Sequence, residues 1–266
     1  MRSQSFQPSE RLRPFVLAIR VVETGTDGVT DARGATISAP LPEAGLILAI
    51  RYAGRAELMD GRAAYAVPDA SLTGVRTAIR RIRTSPGGGV VVAPFRAIGA
   101  MQFFDVPLHE LFGGMAALAD LASAREVDRL QTCLAEAGTT AERAAIVDRY
   151  LCSRLKPRPP DPVVAAAVSA IGRARGAVRI APLARELGLS TDRLEKRFRR
   201  IVGASPKQLT SILRFRQVVA RHQTGVTLTQ LAHDAGYFDQ SHLIRDFRSF
   251  TGQPPGEFLR GGGYWM

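Results

Sequence analysis

The sequence predicts an α+β protein of two domains. The N-terminal one is an antiparallel β-barrel or sandwich with helices after it. The C-terminal one is all-α, with two helix-turn-helix motifs joined by a long helix. Three observations predict this. Short apolar or alternating runs broken by Gly, Pro and Asp fill the first hundred residues. After Asp105 the apolar period changes from two to roughly 3.6. Between Leu183 and Phe258 a unit of just under 50 residues occurs twice, which marks one structural unit used twice.

The strand runs are Phe15–Ile19, Leu46–Ile50, Ala56–Met59 and Gly89–Ala93. Breaks at Thr26-Asp27-Gly28, Ala39-Pro40-Leu41-Pro42, Met59-Asp60-Gly61 and Ser85-Pro86-Gly87-Gly88 separate them, and Asp60-Gly61 predicts a hairpin turn. Many short strands with regular turn signals suggest a barrel or sandwich. No histidine precedes His109, no G-x-S-x-G elbow is present, and Gly87-Gly88-Gly89 lacks the Lys-Ser/Thr of a phosphate loop and reads as a turn. A small barrel can instead enclose a small ligand. Arg51, Tyr52, Tyr65 and Arg76 are available to line such a site, although an ordinary barrel role is the better expectation for each.

Between residues 105 and 162 the pattern is helical. Pro107–Phe112 predicts a turn or two stopped by Gly113-Gly114, and Met115–Ala122 a short helix. Ala124–Ala137 carries Val127, Leu130 and Leu134 on one face. Thr140 is the expected N-cap of Ala141–Leu155, with Arg143 where a complete capping box needs Glu. These helices are expected to pack on their own domain, with dimerisation as a second use. His109 reads as a helix-surface or core residue rather than a metal ligand. Cys133 and Cys152 read as two partly buried free thiols, because two cysteines at this spacing make no disulfide framework or metal knuckle. Four prolines in Lys156–Pro162 predict a stiff connector. The expected division is 1–155 for sensing or oligomerisation, a 156–162 linker, a 163–260 domain and a 261–266 tail.

The repeat aligns Leu183, Gly188, Leu194, Phe198, Gly203 and Pro206 with Leu231, Gly236, Leu243, Phe247, Gly252 and Pro255. In each copy a short Leu/Ala helix ends at a Gly, which tolerates the left-handed conformation of a helix stop. Ser190 and Asp239 then cap the next helix, whose apolar residues stand four apart: the pattern of a helix-turn-helix. An Ala/Val helix over Val163–Arg175 precedes the repeat. The predicted supporting helices are Ile180–Leu187 and Leu228–Ala235, and the recognition helices Ser190–Val202 and Asp239–Thr251. The joining helix runs from Pro206 to Gln223, capped by Ser205 and ending at Gly225. At about 18 residues it spans roughly 27 Å, which with its flanking turns can meet the roughly 34 Å between successive major grooves. A last turn covers Pro255–Leu259.

The formal charge is +12, and from Val163 onward 14 Arg and 2 Lys face 7 acidic residues, so +9 of it lies there. An arginine excess suits phosphate, which its planar fork binds bidentately. Together with the repeat it points to duplex DNA. No apolar run is long enough to span a bilayer, and Met1-Arg2-Ser3-Gln4 opens no signal-peptide core, so a cytoplasmic protein is expected.

Residues 163–260 resemble the DNA-binding domain of the AraC/XylS family of bacterial transcription regulators. The second copy carries the resemblance in Ala235-Gly236-Tyr237-Phe238-Asp239-Gln240-Ser241-His242-Leu243-Ile244-Arg245-Asp246-Phe247-Arg248 and in Gly252-Gln253-Pro254-Pro255-Gly256-Glu257-Phe258. The first half is similar in layout to the family's cupin-like sensor domains. The resemblance implies sequence-specific transcription regulation, with base reading by Gln240, Ser241 and Arg245, and His242 beside them. The corresponding positions of the first copy are Thr191, Asp192, Glu195 and Lys196. There the sequence departs from good base-reading chemistry, since acidic residues repel phosphate and suit only a cytosine amino group. Arg193, Arg197, Arg199, Arg200, Lys207 and Arg248 are assigned to DNA phosphates or solvated faces. Expected partners are double-stranded DNA, RNA polymerase, a small-molecule effector and a second copy of the chain; no membrane, cofactor, metal or enzymatic activity is expected. Two alternatives stay open: an enzyme fusion of the DNA-alkyl-transfer repair type, and a regulator whose first half binds a protein partner and no ligand.

Overall fold

A computed structural model describes residues 1–24, 30–31, 34–61, 63–156, 158–222, 226–261 and 264–265. The turn expected at Thr26-Asp27-Gly28 and the helix stop expected at Gly225 lie outside these residues, as does Pro157 of the connector.

The first half is built from strands β1 (Arg2–Phe6), β2 (Ile19–Glu23), β3 (Thr36–Pro40), β4 (Ile47–Ala53), β5 (Ala56–Asp60), β6 (Ala63–Ala66), β7 (Ala70–Thr73), β8 (Arg81–Thr84), β9 (Gly89–Pro94) and β10 (Met115–Ala117). One sheet has the order β1-β2-β9-β4-β7-β10, and a second contains β3-β8-β5-β6, all paired antiparallel. The two sheets form an open sandwich rather than a closed barrel. The β5–β6 hairpin turns at Asp60-Gly61 as expected, with Gly61 at φ +59°.

Three sequence expectations need correction. Phe15–Ile19 is not a strand. Residues 9–16 coil through turns (Phe15 N–H to the Leu12 carbonyl, 2.8 Å), Val16 makes only an isolated bridge to Phe95, and β2 starts at Ile19. The run is apolar because Leu12 and Val16 are fully buried in the core, which periodicity cannot distinguish from a buried strand. Met115–Ala122 is not a helix but β10 followed by a 3-10 turn at Leu118–Asp120. The Ala39–Pro42 break lies later than expected, since Ala39 and Pro40 still belong to β3, with proline at the strand's end beyond its ladder with β8.

The apolar face of the first sheet, with Leu48, Ile50, Leu72 and Val91, belongs to the same buried core as Val127, Leu130, Leu134, Val147 and Leu151. These last five come from α1 (Ala124–Glu136) and α2 (Thr140–Arg154). The cap of α2 is Thr139, one residue before the expected Thr140. With Glu142 at the third helical position the capping box is complete, both reciprocal bonds being made.

The second half comprises α3 (Pro162–Arg173), α4 (Ile180–Glu186), α5 (Thr191–Val202), α6 (Pro206–Arg221), α7 (Leu228–Asp234), α8 (Gln240–Thr251) and α9 (Pro255–Gly261). Residues Tyr264–Trp265 form β11, which pairs in parallel with Ala39–Pro40 of β3, so the tail returns to the first half. The joining helix α6 begins at Pro206 with Ser205 and Gln208 forming a capping box, and its 16 residues span about 24 Å. It serves two cores. Leu209 packs with Val164, Ile171, Leu183, Leu194 and Phe198 around the first copy. Phe215 lies 4.9 Å from Phe247 and 4.5 Å from Phe250 in the second, whose core is continuous with that of the sandwich.

Three contacts dock the helical half on the sandwich. Gly203, the left-handed stop of α5 at φ +83°, sits so close to Leu108 that a Cβ would lie 2.9 Å from its carbonyl oxygen. The Ile79 N–H donates to the Phe250 carbonyl at the end of α8 (2.7 Å). On α6, Arg216 donates to the Pro42 carbonyl (3.0 Å) and pairs with the buried Glu43 carboxylate (3.0 Å), which also faces Arg20 of β2 at 3.9 Å.

Candidate nucleic-acid interface

Both recognition helices are built the same way. Ser190 accepts a hydrogen bond from the Arg193 N–H, and Asp239 from the His242 N–H, so each helix starts on a satisfied side-chain cap. The turns before them pass through Gly188 (φ +71°) and Gly236 (φ +75°), and the helices end at Gly203 and Gly252, both left-handed. Gly236 has a second constraint, because a Cβ there would meet the Ala177 Cβ at 2.5 Å. Leu194 and Phe198 in one copy, and Leu243 and Phe247 in the other, are fully buried. The charged residues between them therefore face outward.

What differs is the state of those outward side chains. On α5, Asp192 pairs with Lys196 (3.2 Å), and Glu195 accepts two bonds from Arg199 (2.9 and 2.7 Å). Arg197 is tied to Asp161, the N-cap of α3. Burial pushes the Asp161 carboxyl up, but the Val164 N–H and Arg197 outweigh it and the pKa falls. Four of the first copy's candidate DNA residues are thus paired within their own helix, and a fifth is held by the connector. Thr191, Arg193 and Arg200 are exposed, as is Lys207 at the start of α6. On α8, Gln240, Ser241, Arg245 and Arg248 are all exposed, and neither arginine makes an ion pair among the described residues. Gln240 accepts one bond from the Thr229 hydroxyl of α7 (3.2 Å), while His242 is half-buried with its ring edge-on to Tyr237 at 5.2 Å.

Two further residues matter that the sequence left unassigned. Tyr237 is buried and donates to Asp246 (3.0 Å), while Arg214 of α6 lies over its ring at 4.9 Å and faces Asp246 at 3.8 Å. This network fixes α8 against the joining helix, and burial together with the Asp246 charge holds the tyrosine protonated. Phe238, just before the cap of α8, is 93% exposed, an unusual state for a large apolar side chain. The clue in the sequence was a phenylalanine in a turn, off the apolar register of both flanking helices.

The four residues considered for a ligand site separate clearly. Arg51 lines a partly enclosed cavity of about 110 Å³ between the two sheets. Tyr52 instead donates to Glu23 (3.0 Å) beneath the Arg143 guanidinium, Tyr65 is 58% exposed, and Arg76 donates to the Pro40 carbonyl (2.8 Å). His109 is exposed, as is Cys133, which had been expected to be partly buried. Among the described residues no cluster of His, Cys, Asp or Glu could hold a metal, and no helix is long and apolar enough to cross a membrane.

No curated protein matches the sequence. Among solved structures, the chain is similar to an apo variant of ToxT from Vibrio cholerae strain SCE256, with 14% identity and a TM-score of 0.49 over 91% of this chain and 96% of that one. It is also similar to wild-type ToxT of that strain bound to an unsaturated fatty acid, with 15% identity, a TM-score of 0.46 and 97% of each chain covered. The DNA-binding domain of AdpA in complex with a target DNA matches 38% of this chain and 92% of its own, at 22% identity and a TM-score of 0.34. A family model described as a helix-turn-helix domain matches residues 183–261, spanning both copies. Residues 183–261 are a helix-turn-helix domain.

Proposed function

We propose that the protein is a sequence-specific DNA-binding transcription regulator that sets α5 and α8 into successive major grooves and whose sandwich domain adjusts that binding. The observation that carries this reading is the exposed Gln240, Ser241 and Arg245 on a doubly capped helix. Arg pairs bidentately with guanine and Gln with adenine. His242, Thr191, Asp192, Glu195 and Lys196 complete the base-facing set, while Arg193, Arg197, Arg199, Arg200, Lys207 and Arg248 serve phosphates. The domains divide at 1–155 and 163–260. The groove of about 590 Å³ between α1 and α2, lined by Leu130, Ile146 and Tyr150, supports pairing with a second copy. RNA polymerase contact and a cytoplasmic location belong to the same reading.

The sequence left open whether the first half senses a ligand or only docks a partner. The cavity between the sheets favours sensing. Its wall also suggests how occupancy reaches DNA: Thr36 and Ser38 of β3 line the cavity, and the same strand leads to Pro42 and Glu43, which hold Arg216 of α6. Selection of bound genomic fragments, followed by anisotropy titration at fixed salt, tests the whole. The selected fragment is expected to bind at least 10³-fold tighter than a scrambled one. Equal affinity would overturn the reading.

A further inference from the structure

The first sheet has two unlike faces. One carries the Leu and Val core beneath α1 and α2. The other faces the second sheet, and the two facing surfaces present small and hydroxyl side chains at alternate strand positions: Ser71 and Thr73 of β7 from the first sheet, Thr36 and Ser38 of β3 and Thr84 of β8 from the second. Ala49 and four valines add an apolar wall. Side chains of this size leave the cavity of about 110 Å³ open where a dry core would be closed by Leu, Ile and Phe.

Arg51 of β4 is the one charged side chain among the described lining residues. It is only 8% exposed, and its Nε and Nη1 have no hydrogen-bond partner. The nearest carboxylate, Asp69, stands 3.8 Å from Nε, beyond hydrogen-bond range, and is itself 58% exposed to solvent. Burial draws the Arg51 pKa down and Asp69 pushes it back up, and an arginine remains charged at neutral pH even so. A buried guanidinium with unmet donors is costly. Its planar fork matches a carboxylate, and the mixture of hydroxyls and valines around it suits an anionic head on a short apolar tail. The space equals that of about three or four waters, which admits only a few heavy atoms.

Building on the reading of the first half as a sensing domain, we propose that the cavity between the sheets binds a short-chain monocarboxylate, with Arg51 anchoring the carboxylate and the Ser and Thr hydroxyls ordering it. The test uses the full chain, with calorimetry and thermal unfolding against acetate, propionate and butyrate, their amides, and inorganic phosphate. At least one acid is expected to bind saturably, 10-fold or more tighter than its amide and than phosphate, and to raise Tm. Arg51→Met, which keeps the bulk and removes the fork, is expected to lose that binding 10-fold or more. The acid–amide comparison in the unaltered chain decides the matter even if the variant fails to fold. Equal binding of acid and amide, preference for phosphate, unchanged binding in Arg51→Met, or no binding by any acid would each overturn the proposal. DNA affinity is measured separately without ligand. If the protein ignores the selected DNA yet binds the acid, the regulatory reading fails and the anion site stands.

Discussion

The two helix-turn-helix copies share backbone, caps, glycine stops and buried Leu/Phe pairs, yet they present opposite surfaces. The first spends its charges internally: Asp192 on Lys196, Glu195 on Arg199, and Arg197 on the connector's Asp161. The second leaves Gln240, Ser241, Arg245 and Arg248 exposed to solvent, and spends its buried polar chemistry on Tyr237, Asp246 and Arg214, which orient the helix. The two copies therefore share the means of placing a helix and differ in the side chains that the placed helix presents.

The largest expected effects test the shared part. Phe198→Ala and Phe247→Ala each empty a fully buried site and should each cost about 3–5 kcal/mol in denaturant unfolding. Phe247 also belongs to the core continuous with the sandwich, so its loss should expose the docked face as well, seen as faster hydrogen exchange around Ile79. A much smaller cost at one site than at the other would break the structural equivalence. Next comes Arg245→Ala, expected to cost about 1–3 kcal/mol against the selected DNA and to relax discrimination at one base pair. The matching change on the first copy, Lys196→Ala, should cost less, because Lys196 is already paired with Asp192.

Much of this was legible in the sequence because the repeat fixes register. Ser190, Asp239 and Ser205 were placed as caps and all three serve as caps, since capping needs only local residue type. Strands β3, β7 and β8, which periodicity missed, have inward Thr, Ser and Ile rather than a run of Leu or Val. The feature that hid them from an apolar pattern also lines the cavity. Arg51 stood among four equal candidates, because burial and an unmet donor are properties of tertiary packing. The pairing of Glu195 with Arg199 was available from their i,i+4 spacing, but the competition between that pair and DNA could not be judged until both side chains had a position.

Acid should separate the copies more gently. Asp161 has a pKa lowered in the folded protein, so its contribution to stability is complete above the ordinary carboxylate range and is lost as pH falls through the folded value. Unfolding between about pH 5 and pH 2 should therefore be steeper for the unaltered chain than for Asp161→Asn, which keeps an N-cap oxygen but no charge. Protection of α3 and α5 should fall with it, while α8 stays unaffected. Loss of protection in α8 at the same pH would show that the two copies melt as one unit.

The smallest effect is the most discriminating. Glu195→Ala removes a half-exposed i,i+4 pair worth about 0.3–0.5 kcal/mol to the fold, within reach of careful unfolding measurements. Its consequence for DNA has the opposite sign. Arg199 is released to meet a phosphate, so affinity at low salt should rise, and the slope of log affinity against log salt should steepen by about 0.9, one released counterion. Discrimination between selected and scrambled DNA should not change, because a phosphate contact carries no sequence information. If Glu195 instead accepts from a cytosine amino group, the same substitution lowers affinity for the selected site alone and costs specificity at one position. The sign of the change at low salt thus decides whether the first copy reads DNA or only holds the second in place.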